Sequence, residues 1–123
     1  MNVVDSSGWL EYFADAPNAD FFAPVLEDVE ELLVPTISIY EVFKRVLQQK
    51  GDNEALEAVA LMMQGQVIEL DSSLAIGAAI ISDELKIPMA DSIMLATARS
   101  HKATFWTQDA NFSNVPDVQY VTK

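Results

Sequence analysis

Ile87-Pro88-Met89-Ala90-Asp91-Ser92-Ile93-Met94-Leu95-Ala96-Thr97-Ala98-Arg99-Ser100-His101-Lys102-Ala103-Thr104-Phe105-Trp106-Thr107-Gln108-Asp109, residues 87–109, is the stretch that decides the fold. Pro88 cannot continue a preceding helix but sits well just before one, so a helix is expected over Met89–His101. Ala103–Thr107 then has the short apolar, β-prone character of a buried strand, and an acid, Asp109, follows it. Working outward, the same alternation recurs. Asn2–Asp5, Glu31–Val34 and Val67–Leu70 read as strands, and Val118–Val121 as a short fifth. Helices are expected over Ser7–Asp15, about Phe21–Asp28 after the turn at Pro17-Asn18, Thr36–Gln49 closed by Gly51, Asn53–Met63 closed by Gly65, and Asp71 or Ser72 to about Leu85. Apolar strands separated by helices pair in parallel, with right-handed crossovers and helices on both faces. The expected fold is therefore α/β, a three-layer α/β/α sandwich on a mainly parallel sheet of about five strands. No repeat, low-complexity tract or linker interrupts it, so residues 1–123 read as a single domain.

Composition narrows the function classes. Half of the 123 residues are hydrophobic, enough for one core, and a chain of this size buries roughly two-thirds of its unfolded surface. The absence of cysteine excludes disulfides, thiolate zinc sites and cysteine nucleophiles, and it suits a reducing compartment, so the cytoplasm is expected. The N-terminus lacks a basic segment followed by an apolar core, and the longest apolar stretch, Leu74–Ile81, is far short of the roughly 20 residues a membrane helix needs. Nineteen acids against seven bases give a formal charge of −12, which repels polyanions at long range and favours basic protein partners.

Four acids lie at the edges of apolar runs. Asp5 closes the first strand, Glu41 sits on the helix after Leu32-Leu33-Val34-Pro35, Asp91 opens the helix after Pro88, and Asp109 follows the fourth strand. Each has a structural explanation. Ser38-Ile39-Tyr40-Glu41 matches a capping box, Asp91 in a first helical turn interacts well with the helix dipole, Asp5 could cap the first helix, and Asp109-Ala110-Asn111 is turn chemistry. Together, however, these placements bring all four to the same end of a parallel sheet, where ligands bind in such folds. Carboxylates gathered there without a cation would repel one another, and oxygen ligands from separate elements suit Mg²⁺ or Mn²⁺. Asp15, Asp20, Asp28, Glu30, Asp52, Glu57, Asp83 and Asp117 have no such placement and read as solvated.

Val3-Val4-Asp5-Ser6-Ser7, Pro35–Val42, Ile87–Ala98 and Thr107-Gln108-Asp109-Ala110-Asn111-Phe112 resemble the four motifs of the PIN domain, in particular the VapC-like toxins of toxin–antitoxin systems. The resemblance spans essentially the whole chain. It implies Mg²⁺- or Mn²⁺-dependent ribonuclease activity, with Asp5, Asp91 and Asp109 as metal ligands and Glu41 binding directly or through water. It also implies an RNA substrate, a homodimer, and a small basic or basic-tailed antitoxin. Many relatives carry a further acid where this chain has Asn111, which leaves Asn111 as a polar neighbour of the ligands. Ser7 and Thr107 are candidate donors to the carboxylates or to phosphate, with cap and turn roles as the alternative. Lys44 and Arg45, three and four residues after Glu41, and Lys86, before the turn to Asp91, are candidate phosphate contacts; an ordinary Glu41–Arg45 surface pair is the alternative. Trp9, Tyr12, Phe13, Trp106, Met62, Met63, Met89 and Met94 are assigned to packing.

Two rivals remain at this point. An aspartyl-phosphate domain would need a lysine after a late strand, whereas Lys102 precedes its strand. A PIN-like binding module without turnover would keep the fold and the partner but not the cleavage.

Overall fold

Successive residues of a strand face opposite sides of a sheet, and here both sides are apolar. In the computed structural model, which describes residues 1–123, β1 (Asn2–Val4) turns Val4 to one face and Val3 to the other. β2 (Leu32–Pro35) does the same, placing Leu32 and Val34 with Val4, and Leu33 with Val3. Against the Val4 face pack α1 (Ser6–Phe13), α2 (Ala19–Glu27), α3 (Thr36–Lys50) and α4 (Asp52–Met62), through Trp9, Phe22, Val42, Val46, Ala55 and Met62. Against the Val3 face packs α6 (Met89–Ser100), through Met94, Leu95 and Ala98, together with Phe105 of β4 (Thr104–Thr107). α5 (Ser72–Leu85) covers α6 through Leu74 and Ala78, so every residue from Asp91 to Ala98 is buried. The three-layer sandwich expected from the sequence is present.

With β3 (Gln66–Ile68) and β5 (Val118–Tyr120) at the edges, the sheet order is β3-β2-β1-β4-β5 and all four pairings are parallel. The chain builds outward from β1 through β2 to β3, then returns to the other side of β1 for β4. The crevice between the carboxyl ends of β1 and β4 is therefore the topological switch point of the sheet. Asp5 directly follows β1, and Asp109 lies two residues beyond β4.

Some details depart from expectation. β3 ends at Ile68 rather than Leu70, because its last partner is Pro35, after which β2 turns directly into α3. α2 starts earlier, at Ala19, and tolerates Pro24 within it. The Ser38–Glu41 capping box does not form: α3 begins at Thr36 with Pro35 at its N-cap, so Ser38 already lies inside the helix. Met63 and Met89 are exposed rather than packed, while Met62 and Met94 are in the core. Gly8 is required by close approach, since a Cβ there would lie 2.6 Å from Val4 Cγ1 and 2.7 Å from Phe22 Cε1. It seats α1, and hence the Asp5-Ser6-Ser7 turn, directly on β1. No helix is long and apolar enough to cross a membrane.

Candidate active site

Three of the four acids meet. One carboxylate oxygen each from Asp5, Asp91 and Asp109 lies within 4.8 Å of the others. Asp5 reaches the cluster from the end of β1, Asp109 from the turn after β4, and Asp91 from the first turn of α6, which begins at this end of the sheet. Glu41 lies outside this trio, on α3, where burial raises its affinity for a proton and the charges of Asp91 and Asp109 are close enough to add to the rise.

Each acid is tethered through one oxygen. Ser7 Oγ and Thr107 Oγ1 both donate to Asp5 Oδ2, at 2.7 Å each. Asn111 Nδ2 donates to Asp91 Oδ2 at 3.1 Å, and the Asn111 N–H donates to Asp109 Oδ1 at 2.9 Å. Ser6 Oγ donates to Glu41 Oε1 at 2.8 Å. In all four the second oxygen has no protein donor, so the carboxylates are held in orientation while one acceptor apiece stays open. Thr107 has a further role: its hydroxyl accepts the Asp109 N–H at 2.9 Å, so one side chain links the ends of β1 and β4.

The electrostatics are strained. Burial pushes the Asp5 carboxyl up to about 6, against the pull of the Ser7 and Thr107 hydroxyls, and the charges of Asp109 and Glu41 add to the rise. Asp91 is likewise pushed up to about 6, by burial first, with Asp5 and Asp109 contributing and the Asn111 amide opposing. Glu41 is raised by burial, countered by Ser6. No lysine or arginine is among the groups that shift these three acids. The donor set, all hard carboxylate oxygen with neither histidine nor cysteine, fits a divalent cation such as Mg²⁺ or Mn²⁺.

The basic candidates lie apart. Lys44 is exposed, its Nζ 5.8 Å from the centre of the Tyr40 ring, and Lys86 sits 3.7 Å from Asp83. Arg45 forms no pair with Glu41; it lines a cleft of about 720 Å³ between α1, α3 and α4, which Ser7 and Gln108 border and none of the four acids enters. The eight acids read as solvated are all exposed, Asp117 standing 3.7 Å from Arg99.

Sequence reasoning missed Ser6, Glu11, Asn18 and Gln108. Ser6 adjoins Asp5, and that adjacency was the available signal. Glu11 stands out only as an acid within the otherwise apolar Trp9–Phe13 run, and nothing local announces its partner 97 residues away.

A sequence model of the PIN domain matches residues 3–118. Among curated proteins no sequence matches the chain. Solved structures with the same fold include a toxin–antitoxin complex from Klebsiella pneumoniae, 20% identical with a TM-score of 0.78, covering 99% of this chain and 97% of that one. The sarcin-ricin loop cleaving toxin VapC20 of Mycobacterium tuberculosis is 18% identical with a TM-score of 0.79, covering both chains fully at 100%. The DNA-bound VapBC of Salmonella typhimurium is 15% identical with a TM-score of 0.77, over 99% and 97%.

Proposed function

The chain belongs to the PIN-domain family, and from that premise we propose that it is an endoribonuclease dependent on Mg²⁺ or Mn²⁺, acting in the cytoplasm as the toxin of a toxin–antitoxin pair. The observation that carries the reading is the meeting of Asp5, Asp91 and Asp109 within 4.8 Å, the first two buried and the third half-buried, all tethered and without a cationic side chain to neutralise them. These three would hold the ion, with Glu41 beside them. When bound, such an ion supplies charge stabilisation to a phosphodiester under attack and lowers the pKa of a coordinated water.

The chain's own residues do the rest. Ser7 and Thr107 fix Asp5 so that Oδ1 faces away from its donors, and Asn111 does the same for Asp91. Glu41 is held through Oε1 by Ser6, and burial raises its affinity for a proton; its Oε2 is the acceptor for the proton of the attacking water. A histidine base is not needed, and the one histidine, His101, is at the far end of α6, against the Thr97 carbonyl.

A −12 chain repels RNA at long range, so binding relies on local cations. Arg45, on the helix that bears Glu41, and the exposed Lys44 and Lys86 are the candidates. The same field favours capture of a basic partner, and an antitoxin bearing Arg would pair with the open carboxylate oxygens two at a time. Toxin–antitoxin assembly in the Klebsiella pneumoniae relative supports that partner. Exposed Leu56, Leu61, Met63, Ile76 and Ile80 supply apolar surface for it and for a second copy of the chain.

The test is cleavage of structured RNAs, including a sarcin-ricin stem-loop, by Mn²⁺- or Mg²⁺-loaded protein. Metal-dependent cleavage lost in Asp91→Asn supports the reading. Binding without cleavage would move it to a non-catalytic PIN module, and a covalent aspartyl phosphate would overturn it.

A further inference from the structure

Glu11 is the one buried acid outside the metal-binding group, 8% exposed in the middle of α1. Both of its oxygens accept hydrogen bonds: Oε1 from Gln108 Nε2 at 3.0 Å and Oε2 from the Asn18 N–H at 2.8 Å. Gln108, itself buried, is held on every side. Its Nε2 also reaches the Ser7 carbonyl at 3.3 Å, and its Oε1 accepts from Asn18 Nδ2 at 2.9 Å. Asn18 Nδ2 in turn donates to the Thr122 carbonyl at 3.1 Å.

Gln108 sits between two residues of the site. Thr107 turns its hydroxyl to Asp5, Gln108 turns the other way to α1, and Asp109 follows with its N–H on Thr107 Oγ1. An apolar pair of similar volume at 11 and 108 would fill the space without desolvating a charge. It would not fix the rotation of residue 108, and residue 108 carries the backbone that joins Thr107 to Asp109.

We propose that Glu11 is a positioning residue: through Gln108 it clamps the Thr107-Gln108-Asp109 segment and thereby sets where Thr107 and Asp109 stand relative to Asp5. Two donors aimed at its two oxygens demand a group that only accepts. Glutamine in its place offers one acceptor and one donor, so a donor would face a donor. The Gln108 amide, and after it the Asn18 N–H, hold the Glu11 carboxyl below its usual range, which keeps it ionised. Glu11 and Gln108 both line the 720 Å³ cleft, which leaves the clamp within reach of anything that occupies it.

The inference rests on the reading of Asp5, Asp91 and Asp109 as ligands, and its test separates the two. The full chain is compared as wild type, Glu11→Gln and the reciprocal swap Glu11→Gln/Gln108→Glu, which reverses the donor and acceptor of the central bond. Amide hydrogen exchange at Asp109 is read in metal-free protein, and Mn²⁺ affinity by calorimetry. Glu11→Gln is expected to speed Asp109 exchange about tenfold while the amides of β1 and α6 hold. It should weaken Mn²⁺ binding about 10- to 100-fold, as loss of a group orienting a ligand does. The swap should recover both in part, short of wild type because a carboxylate at position 108 offers no donor to the Ser7 carbonyl. Unchanged Asp109 exchange, or a uniform rise across the chain that the swap fails to correct, overturns the clamp. If wild type binds no Mn²⁺, the metal reading falls while exchange alone still decides the clamp. Should Glu11→Gln not fold, Gln108→Ala, which cuts the link and leaves Glu11 on Asn18, carries the same exchange test.

Discussion

Replacing Asp5 with Asn should stabilise the metal-free protein at neutral pH and not at acid pH. Asp5 lies at the end of β1 with its Oδ2 accepting from Ser7 and Thr107, and an Asn Oδ1 in that place can accept both. Its carboxyl rises from 3.8 to about 6 in the fold. Two units at 1.36 kcal/mol each make the ionised form about 3 kcal/mol less favourable in the folded chain than in the unfolded one. The sign follows from proton binding: the folded state holds the proton more tightly, so this stabilisation is complete below 3.8, declines as pH rises, and is gone above about 6. Between pH 4.5 and 7.5 the wild type should lose about 2 kcal/mol that Asn, which does not titrate there, keeps. For a chain of this length that corresponds to about 8 °C in Tm. Relief of Asp91 and Glu41, which lose a charged neighbour, acts in the same direction. Thermal unfolding in EDTA at the two pH values, wild type against Asp5→Asn, measures it. Mg²⁺ at a hundred times its Kd should close most of that gap, adding about 2.7 kcal/mol to the wild type and nothing to the variant. A Tm difference that stays constant across the pH range would refute the buried, uncompensated carboxylate on which the site rests.

Glu41→Gln, Asp91→Asn and Asp109→Asn should each abolish RNA cleavage with the far-UV spectrum intact, because volume is kept and only a ligand charge or proton acceptor is removed; wild-type turnover with Mn²⁺ in any of them would displace that residue from the mechanism. Asn111→Ala should cost far less, about the tenfold expected of an outer contact, while Asn111→Asp adds a charge beside Asp91 and should tighten Mn²⁺ binding in calorimetry. Co-expression with a small basic protein encoded nearby should give a complex on size-exclusion chromatography that inhibits cleavage and loosens above about 0.5 M salt, where exposed charges are screened; neither co-elution nor inhibition would leave a stand-alone nuclease.

The order of elements was legible because each is announced locally. Pro88 opens α6, Gly51 closes α3 at a φ of 91°, and the apolar runs at 2–4, 32–35 and 104–107 are short enough to be only strands. With that order known, the ends of β1 and β4 and the first turns of α3 and α6 must share one edge of a parallel sheet, so the four acids could be gathered without coordinates. The tethers were less accessible. Ser7 and Thr107 stand out in the sequence as candidate donors without a named acceptor, whereas nothing there joins Ser6 to Glu41, 35 residues apart, or Gln108 to Glu11, 97 apart; Thr107 itself reaches Asp5 across 102 residues. A hydrogen bond between side chains has no period, and its sequence trace is no more than two polar residues in separate segments. Capping chemistry misled for the same reason: Ser38-x-x-Glu41 satisfies the local pattern, yet the N-cap is Pro35, three residues before Ser38, and the Glu41 carboxylate is left to a partner on α1.

That release of Glu41 from a local role carries a physical consequence. A glutamate in a capping box would spend its acceptor on its own backbone, whereas Glu41 spends one oxygen on Ser6 and keeps the other free of protein donors, within the field of Asp91 and Asp109. The same division recurs at Asp5, Asp91 and Asp109, each held through one oxygen by a neutral donor. Neutral donors orient a carboxylate without neutralising it, so the cluster remains pre-set for a cation while its repulsion persists in the metal-free chain. An arginine or lysine in place of Ser7, Thr107 or Asn111 would relieve that repulsion and occupy the site at once. The choice of hydroxyls and amides for these positions therefore favours an exchangeable cation over a built-in one, at the cost of stability that the metal-free chain must bear.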